Sequence, residues 1–312
     1  MIQTRKANPA RPVRVMIYGV EGVGKSTLGA RAEKPIFISP EGGVDQLKDV
    51  SGNPVDELLV DGKPIRDWTN VVRGIVSLYK EEHPYKTLVL DSADWLETLA
   101  HTQIVGNSGK TITTVNGGYG SGYRQSQLMH KNLIADLSQL REKGMNIVVT
   151  AHTHVKTVKD PEMLEDYDAF EIKCHEMVSS LWREWVDVLA FARFKTFLHQ
   201  DEGSAKARAL GDGDKRVVYT VKRPAFQAKN RYGMPSEMPF TENFWNEIEK
   251  YAKQGVVQEK IEDVIAECKE MMKKCAPAIQ EKSEAFIVAN GANFKDMVDL
   301  RARLRGIVGE NA

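Results

Sequence analysis

The chain has 312 residues, 42% of them hydrophobic, which is enough for a full core in one large domain or in a domain with an appendage. Lysine plus arginine and aspartate plus glutamate each number 43, so the net charge is zero and no global field draws the protein towards nucleic acid or membrane. The three cysteines lack the spacing of a zinc site and no run of about 18 residues is apolar, which predicts a soluble cytoplasmic protein without a disulfide scaffold or a membrane partner.

Short apolar runs alternate with longer helical patterns through the first half of the chain. The apolar runs lie at 13–19, 35–40, 87–92 and 146–152. The helical patterns lie at 25–32, 68–82, 95–104 and 124–143. This alternation predicts an α/β fold in which a central, mostly parallel twisted sheet is flanked by helices. Two later runs, at 187–194 and 216–222, are expected to finish the sheet as antiparallel strands.

The pattern changes near residue 242, where charged amphipathic helices replace the alternation. We therefore predict three parts, a basic arm at 1–12, an α/β core at 13–241 and a helical C-terminal extension at 242–312. In the extension, Arg301 and Arg305 fall on one helical face, which suits contact with DNA or a partner protein as well as simple solvation. Two long segments, 106–122 and 153–174, are predicted to be irregular, and loops of that length are usually functional or disordered.

A phosphate-binding loop is predicted between the first apolar run and the first helical pattern. Residues 19–26 match the pattern G-x-x-x-x-G-K-[ST], in the strand-to-helix context that the mechanism requires. Backbone N–H groups and the helix N-terminus would surround the phosphates of ATP, and Lys25 would reach the outer phosphates. The residues expected to bind ATP are Gly19, Val20, Glu21, Gly22, Val23, Gly24, Lys25, Ser26 and Thr27.

A magnesium site is predicted beside this loop. Ser26 supplies a hydroxyl at the motif position that ligates Mg²⁺. The stretch 88–91 is an apolar strand that ends in the carboxylate of Asp91, an arrangement that brings a carboxylate to the magnesium shell of a P-loop protein. Glycine-rich turns and strand-ending aspartates each occur without a nucleotide, but together they favour a site for ATP and Mg²⁺.

Three further features resemble the RecA and KaiC superfamily of ATPases. The phrase PIFISPEGG ends near Glu41, which could orient or deprotonate the attacking water, and the resemblance gives it the role of catalytic glutamate. His152 follows the run at 146–151, where RecA-like ATPases carry a polar residue that senses the γ-phosphate. Lys229 and Arg231 match the K-N-K segment that reaches a neighbouring subunit's ATP, with arginine in place of the second lysine. The alternatives are an exposed loop glutamate and a solvated basic turn.

Single-stranded DNA is the partner that this resemblance implies for the two long segments. RecA-type proteins hold DNA on two loops that face the filament axis, and 106–122 and 153–174 fall at the corresponding chain positions. Tyrosine can stack on bases, while basic side chains meet phosphates. The candidate DNA-binding residues are Lys110, Tyr119, Tyr123, Arg124, His154, Lys156 and Lys159. Against them stands an acidic stretch that favours a solvated loop, formed by Asp160, Glu162, Glu165, Asp166 and Asp168.

The order of the motifs narrows the resemblance. The phrases YGVEGVGKST, LVLDS, YGSGYR, VVTAHTHVK and AKNRYGMP resemble those of the phage nucleotide-binding, AAA-type ATPases of the Sak single-strand annealing group, over roughly 13–240. This resemblance implies a RecA-like fold, ATP hydrolysis and action on single-stranded DNA in phage recombination. It also implies assembly with further copies of the chain as a ring or filament, at times with a single-strand DNA-binding protein, in the host cytoplasm.

Two other functions stay open. A KaiC-like regulatory ATPase would use the same nucleotide site with a protein partner and no DNA. A small-molecule kinase would need a lid rich in arginine, and the stretch between the phosphate loop and Asp91 contains only Arg31, Arg66 and Arg73, which disfavours it.

Overall fold

The structure, a computed structural model, describes residues 4, 11–159, 165–200, 207–241, 243–254, 261–291 and 293–310. Most of the basic arm predicted at 1–12 lies outside these residues. The chain divides into two compact units, Met1–Val256 and Val257–Ala312. Among the helices of the described residues, none is both long and apolar enough to cross a membrane.

The described residues form thirteen strands, which make one large sheet and two smaller two-stranded sheets. In chain order the strands are β1 (Arg14–Gly19), β2 (Pro35–Ile38), β3 (Asp56–Glu57), β4 (Leu59–Val60), β5 (Lys63–Pro64), β6 (Thr87–Leu90), β7 (Asn146–Ala151), β8 (Thr153–Val158), β9 (Tyr167–Ile172), β10 (Val188–Gln200), β11 (Ala207–Tyr219), β12 (Lys229–Asn230) and β13 (Glu237–Pro239).

Nine α-helices accompany these strands within the same described part of the chain. They are α1 (Lys25–Ala30), α2 (Trp68–Lys80), α3 (Ala93–Val105), α4 (Ser121–Glu142), α5 (Glu176–Trp185), α6 (Phe244–Gln254), α7 (Ile261–Met272), α8 (Pro277–Asn290) and α9 (Phe294–Glu310).

The large sheet has a parallel centre. Its neighbouring strands β10, β1, β7, β6 and β2 all run parallel, and β3 adds a further parallel pair at one edge. At the other edge, β11 and β12 pair with β10 and β13 pairs with β11, all antiparallel. The predicted α/β fold with a mostly parallel sheet flanked by helices is confirmed.

Helices cover both faces of the sheet, so its central strands are buried on both sides. Met16 and Tyr18 of β1 point into a core cluster that includes residues of α2, α3, α4 and α5. Val15 and Ile17 point into a second cluster with residues of α1 and α6. Burial on both faces explains why β1 reads as a continuous apolar run and not as an alternating one.

One strand runs in the opposite direction to the prediction. β10 was expected to be antiparallel, but it pairs parallel with β1, with Val188 opposite Val15. Parallel neighbours need a crossover connection, and α5 supplies it immediately before β10. The side chain of His175 caps this helix by accepting the backbone N–H of Met177 at 3.3 Å. The antiparallel expectation is correct for β11 alone.

The segment predicted to be irregular at 153–174 forms a hairpin instead. β8 and β9 pair antiparallel from Thr153 opposite Ile172 to Val158 opposite Tyr167. Most side chains of β8 are exposed, so the strand carries no apolar alternation that could have predicted it. The other segment, between α3 and α4, is irregular apart from one 3₁₀ turn at Val115–Gly117.

The first unit extends further along the chain than the predicted boundary at 241. α6 belongs to it, because Phe244 and Ile248 are buried in the core cluster that contains Leu28. The indole N–H of Trp245 also donates to the carbonyl oxygen of Leu28 at 2.6 Å. The helical extension therefore begins after Val256.

The second unit contains α7, α8 and α9 around a core of its own. Arg301, predicted on an exposed basic face, is largely buried in this unit and lies 3.2 Å from Glu267 of α7. That expectation was wrong for Arg301, because its guanidinium faces the neighbouring helix. The side chain of Arg305 lies outside what the structure describes.

Candidate nucleotide-binding site

The carboxyl ends of the parallel strands bring the predicted site together. β7 lies between β1 and β6, so the residues after β7 sit between the phosphate loop and Asp91. Two strand spacings of about 4.8 Å separate β1 from β6, or roughly 10 Å. A hydrated Mg²⁺ can span part of that gap, because Mg²⁺ usually keeps several of its waters.

Glycine is required in the loop for two different reasons. A Cβ at Gly19 would collide with the backbone carbonyl of Ala192 on β10, so only glycine lets the two strands approach. Gly24 has φ +94° and stands just before α1, a left-handed conformation that other residues rarely adopt. The loop is thereby held tightly between β1 and α1.

Lys25 is buried at the centre of the loop. Its ammonium donates to the carbonyl oxygens of Gly19 at 3.1 Å and Val20 at 3.0 Å. Burial lowers the pKa of Lys25, while the negative charges of Asp91 and Asp94 oppose this effect most strongly among the surrounding carboxylates. A cation is thus fixed at the turn where the predicted site needs one for phosphate.

The oxygen donors at the site suit a hard divalent cation. Ser26 is partly buried in the first turn of α1, and Asp91 follows β6 directly. The hydroxyl of Thr150 on β7 donates to the carboxylate of Asp91 and orients it. A hydroxyl and a carboxylate are ligands that Mg²⁺ accepts, so these residues fit the metal that the motif implies.

His152 is held by a carboxylate that the sequence did not single out. Its Nδ1 lies 2.9 Å from Oδ2 of Asp94, and its backbone N–H donates to Oδ1 at 3.0 Å. The hydroxyl of Ser92 donates to the same Oδ1 at 2.8 Å. The hydrogen bond to Asp94 raises the pKa of His152. Burial alone would raise the pKa of Asp94, but the hydrogen bonds from His152 outweigh it and the pKa is lowered.

A cavity of about 570 Å³ opens beside the phosphate loop. Three predicted residues, Glu21, Glu41 and His152, lie on its wall, so the structure brings the proposed catalytic glutamate and the proposed sensor to one space. The rest of the lining was not predicted and consists of Asp94, Trp95, Glu97, Thr98 and Lys173. Arg66 stabilises the loop that carries Glu41, because its guanidinium donates to the carbonyl oxygen of Ser39 at 2.8 Å.

Glu97 is the most deeply buried carboxylate of this cavity. It is 8% exposed, and both its carboxylate oxygens accept the backbone N–H of His175, at 3.1 and 3.0 Å. Burial raises the pKa of Glu97 to about 7; the hydrogen bond from His175 acts against this rise and the charge of Asp94 adds to it. Asp94 and Glu97 stand one turn apart on α3, a spacing that any amphipathic helix can show.

Arg216 of β11 is a second residue that sequence reasoning missed. Its Nη1 donates to the carbonyl oxygen of Val23 in the phosphate loop at 3.3 Å. The guanidinium carbon lies 5.8 Å from the ring centres of both Phe194 and Phe240. The guanidinium of Arg216 therefore stabilises the phosphate loop at Val23. The two residues are 193 positions apart in the sequence, so no local pattern could have predicted the contact.

Lys229 and Arg231 lie away from the phosphate loop of their own chain. β12 pairs with the start of β10, with Lys229 opposite Leu189, whereas Gly19 lies opposite Ala192. The ammonium of Lys229 donates to two carbonyl oxygens at the end of α5, at 2.9 and 2.8 Å. Arg231 lies 3.3 Å from the buried carboxylate of Asp187. Both side chains are thus engaged near the start of β10, while the phosphate loop follows Gly19 further along the sheet.

The predicted DNA-binding residues fall on two neighbouring surfaces. Tyr119 is 96% exposed between α3 and α4, and its carbonyl oxygen accepts from Arg124 at 3.0 Å. Tyr123 is instead stacked on His175, with ring centres 4.1 Å apart at 14°. The remaining candidates are exposed, Lys110 on the irregular segment and His154, Lys156 and Lys159 on or just after β8.

Acidic partners accompany the lysines of the hairpin. Lys156 lies 3.2 Å from Glu176, and Lys159 lies 3.9 Å from Asp166. Of the acidic stretch, Asp160 and Glu162 lie outside the described residues. The Tyr123–His175 stack links the two surfaces, because His175 follows β9 closely and Tyr123 is in the first turn of α4.

Comparison with known families fits this geometry. A family model described as an AAA domain matches residues 11–232, more than two thirds of the 312 residues. A search of curated proteins finds no match to the chain. The matched range begins just before β1 and ends just after β12, so it includes the phosphate loop, Asp91 and the whole cavity. The chain therefore belongs to the AAA domain family and is a P-loop ATPase.

Proposed function

We propose that the protein is a Mg²⁺-dependent ATPase that binds single-stranded DNA and promotes annealing in phage-type recombination. Lys25 neutralises charge on the outer phosphates of ATP, and Ser26 and Asp91 hold the metal. Mg²⁺ bound there would polarise the phosphate oxygens and screen their charge. The buried ammonium of Lys25 between loop carbonyls supports this assignment.

Glu41 and His152 complete the proposed hydrolytic site. Glu41 is exposed on the cavity wall, where its carboxylate can accept a proton from an attacking water. His152 donates to the γ-phosphate from Nε2, because Nδ1 is occupied by Asp94. A change at His152 passes directly into the hairpin, since β8 begins at the next residue.

The DNA function rests on one observation, the pair of exposed surfaces joined to the nucleotide cavity. Tyr119 offers a fully exposed ring for base stacking beside Arg124. The hairpin adds the exposed side chains of His154 and Lys156. Residues that hold both ends of the hairpin line the cavity, which supports a strand-binding surface that responds to nucleotide.

We further propose that the ATP site is shared between copies of the chain in a ring or filament. Lys229 and Arg231 would approach the phosphates of a neighbouring protomer, where cations stabilise the transferring phosphoryl group. In doing so they would exchange their present partners, the end of α5 and Asp187, for phosphate. A single-strand DNA-binding protein is a further proposed partner, in the host cytoplasm.

A protein partner in place of DNA is the second candidate function, a KaiC-like switch. The pairing of Lys156 with Glu176 and of Lys159 with Asp166 favours it, because paired lysines offer less net charge to phosphates. In this case the exposed ring of Tyr119 would contact a protein surface.

One experiment separates these functions. ATP hydrolysis is measured with and without single-stranded DNA at two salt concentrations, on the parent protein and on Lys25→Ala, alongside DNA binding by fluorescence anisotropy. Stimulated hydrolysis in the parent, none in Lys25→Ala, and DNA affinity that falls steeply with salt are expected. Hydrolysis without any DNA stimulation or salt-dependent binding would overturn the DNA function and leave the switch.

A further inference from the structure

Both ends of the β8–β9 hairpin are fastened to one turn of α3. His152, which precedes β8, is bound by Asp94, and His175, which follows β9 after a short connection, is bound by Glu97. Asp94 and Glu97 both line the cavity that the phosphate loop shares through Glu21. The hairpin base also closes on itself, because the backbone N–H of Lys173 donates to the carbonyl oxygen of His152 at 2.9 Å.

The contact between His175 and Glu97 also connects the hairpin to Tyr123. The ring of His175 stacks on Tyr123, and His101 of α3 meets the same tyrosine edge-on with ring centres 5.8 Å apart. Tyr123 belongs to the helical turn that follows the exposed Tyr119. Glu97 therefore contacts the hairpin through one hydrogen bond, to His175. The ring stack of His175 on Tyr123 then connects it to the segment that carries Tyr119.

We propose that Glu97 is a positioning residue that couples nucleotide occupancy of the cavity to both candidate DNA-binding surfaces. This deepens the proposed function and rests on it for the role of those surfaces. Glu97 does not act on the phosphates in this scheme. It holds the backbone N–H of His175, and through His175 it holds the end of β9 and the ring of Tyr123.

The physical cause is electrostatic. Phosphate charge brought into a cavity that already contains Asp94 raises the free energy of the ionised, mostly buried Glu97. Glu97 lowers that free energy by moving away or by taking up a proton, and either change weakens its hold on His175. Burial already brings the pKa of Glu97 to about 7, so both protonation states are accessible near neutral pH. A ligand shifts such an element only through this difference in interaction between its states.

Hydrogen exchange on the full chain tests the coupling without any DNA. The parent protein, Glu97→Gln and Thr102→Ala are compared with and without saturating Mg²⁺ and a non-hydrolysable ATP analogue, with nucleotide binding measured for each. Thr102 is an exposed residue of the same helix and serves as the matched control. We expect nucleotide to change exchange at 167–176 and 117–124 in the parent and in Thr102→Ala, and the change to fall at least threefold in Glu97→Gln.

A second variant, Tyr123→Leu, tests whether the effect passes from His175 to the Tyr119 segment through the ring of Tyr123. It also provides a test if Glu97→Gln folds poorly. It should keep the nucleotide response at 167–176 and lose it at 117–124. A parent protein that binds nucleotide without any change at 167–176, or a Glu97→Gln variant with the full response, overturns the coupling. If the coupling holds but single-stranded DNA does not bind, only the DNA function fails.

Discussion

His152 and the carboxylate of Asp94 are joined by two hydrogen bonds, one from the backbone N–H of His152 at 3.0 Å and one at Nδ1 of its imidazole at 2.9 Å. The pKa of His152 is raised and that of Asp94 is lowered, so the pH window in which both are ionised is wider than it would be for the two side chains apart. Their mutual stabilisation is lost at low pH as Asp94 gains a proton, and at high pH as His152 loses one. Within that pH window the pair presents an imidazolium towards the cavity.

Replacing Asp94 with asparagine should move the pH dependence of ATP hydrolysis. Without the carboxylate, the pKa of His152 falls, so the activity that needs a protonated His152 is lost at lower pH than in the parent. Near neutral pH we expect kcat to fall about tenfold, the equivalent of one charge-assisted hydrogen bond of about 1.5 kcal/mol. The measurement is kcat between pH 5.5 and 9, together with the NMR titration of His152.

Ser92→Ala is the matched control for this prediction, because it removes a different hydrogen bond to the same carboxylate. In Ser92→Ala, the fall of kcat at alkaline pH should occur at nearly the same pH as in the parent protein. A pH profile of Asp94→Asn that superimposes on the parent's would show that the charge of His152 has no part in hydrolysis.

Replacing Lys25 with methionine should separate folding from catalysis. The ammonium is buried and burial lowers its pKa, so an apolar side chain of similar length removes a desolvation cost from the folded state. We expect an unfolding midpoint equal to or above that of the parent and a loss of about 10²- to 10³-fold in kcat. Thermal unfolding and steady-state hydrolysis are compared, with Lys34→Met as a control outside the loop. Retained hydrolysis would contradict the assignment of Lys25.

Arg216 should act through the shape of the phosphate loop as well as through charge. Arg216→Ala removes both the hydrogen bond to Val23 and the stacking between Phe194 and Phe240, and we expect KM for ATP to rise about tenfold. Arg216→Lys keeps the charge but loses the planar donor, so a similar rise identifies bracing and a parental KM identifies charge alone. An unchanged KM in both variants would exclude Arg216 from the site.

Contiguous features of the site could be predicted from the sequence, because they depend on local conformation. The phosphate loop needs glycine at Gly24 for a left-handed turn before α1, and that requirement is visible in the motif itself. Asp91 could be anticipated because it ends an apolar strand. The hairpin could not, since β8 is mostly exposed and has no buried face to impose a pattern.

The residues that hold His152 and His175 in place could not be predicted from the sequence. Asp94 and Glu97 look like ordinary positions of an amphipathic helix, and their partners His152 and His175 follow 58 and 78 residues later. Only the fold brings them together. The direction of β10 was likewise set by the unrecognised crossover α5, and not by the apolar content of the strand.

Glu97→Gln should make the protein more stable above neutral pH. In the parent, ionisation of the buried Glu97 lowers the free energy of unfolding. The loss is absent below the ordinary pKa of 4.5, grows up to about pH 7 and stays constant at higher pH. The full difference corresponds to about 3 kcal/mol at about 1.4 kcal/mol per pH unit, which is an upper value. The variant should approach that gain at pH 8 and show none at pH 4.5.

Denaturant unfolding between pH 4.5 and 8.5 measures this prediction. The carboxyl faces Asp94, His101, Cys174 and His175, and burial lowers the pKa of His101, which is a second titratable group beside Glu97. The informative quantity is therefore the difference between variant and parent at each pH. A difference that does not change with pH would show that Glu97 keeps an ordinary pKa in the folded protein.

Mixing two inactive variants tests whether the ATP site is shared between protomers. Lys25→Ala lacks the phosphate contact, and Arg231→Ala lacks the proposed trans cation, so a mixed assembly contains some sites that have both. The half-exposed Arg231 is one of three arginines around Asp187, with Arg14 and Arg141, so its loss should cost less than about 1 kcal/mol of folding free energy. We expect a large fall in hydrolysis for each variant alone and partial recovery on mixing.

Lys229→Ala needs a separate interpretation, because its ammonium also caps the end of α5. A lower unfolding midpoint without rescue on mixing would assign it a structural role. Arg223→Ala, which removes another exposed arginine nearby in the chain, is the control and should keep parental activity. If mixing is verified by co-purification of two differently tagged variants and Arg231→Ala still recovers nothing, the site is complete within one chain, and the partners of Lys229 and Arg231 in the structure are their functional ones.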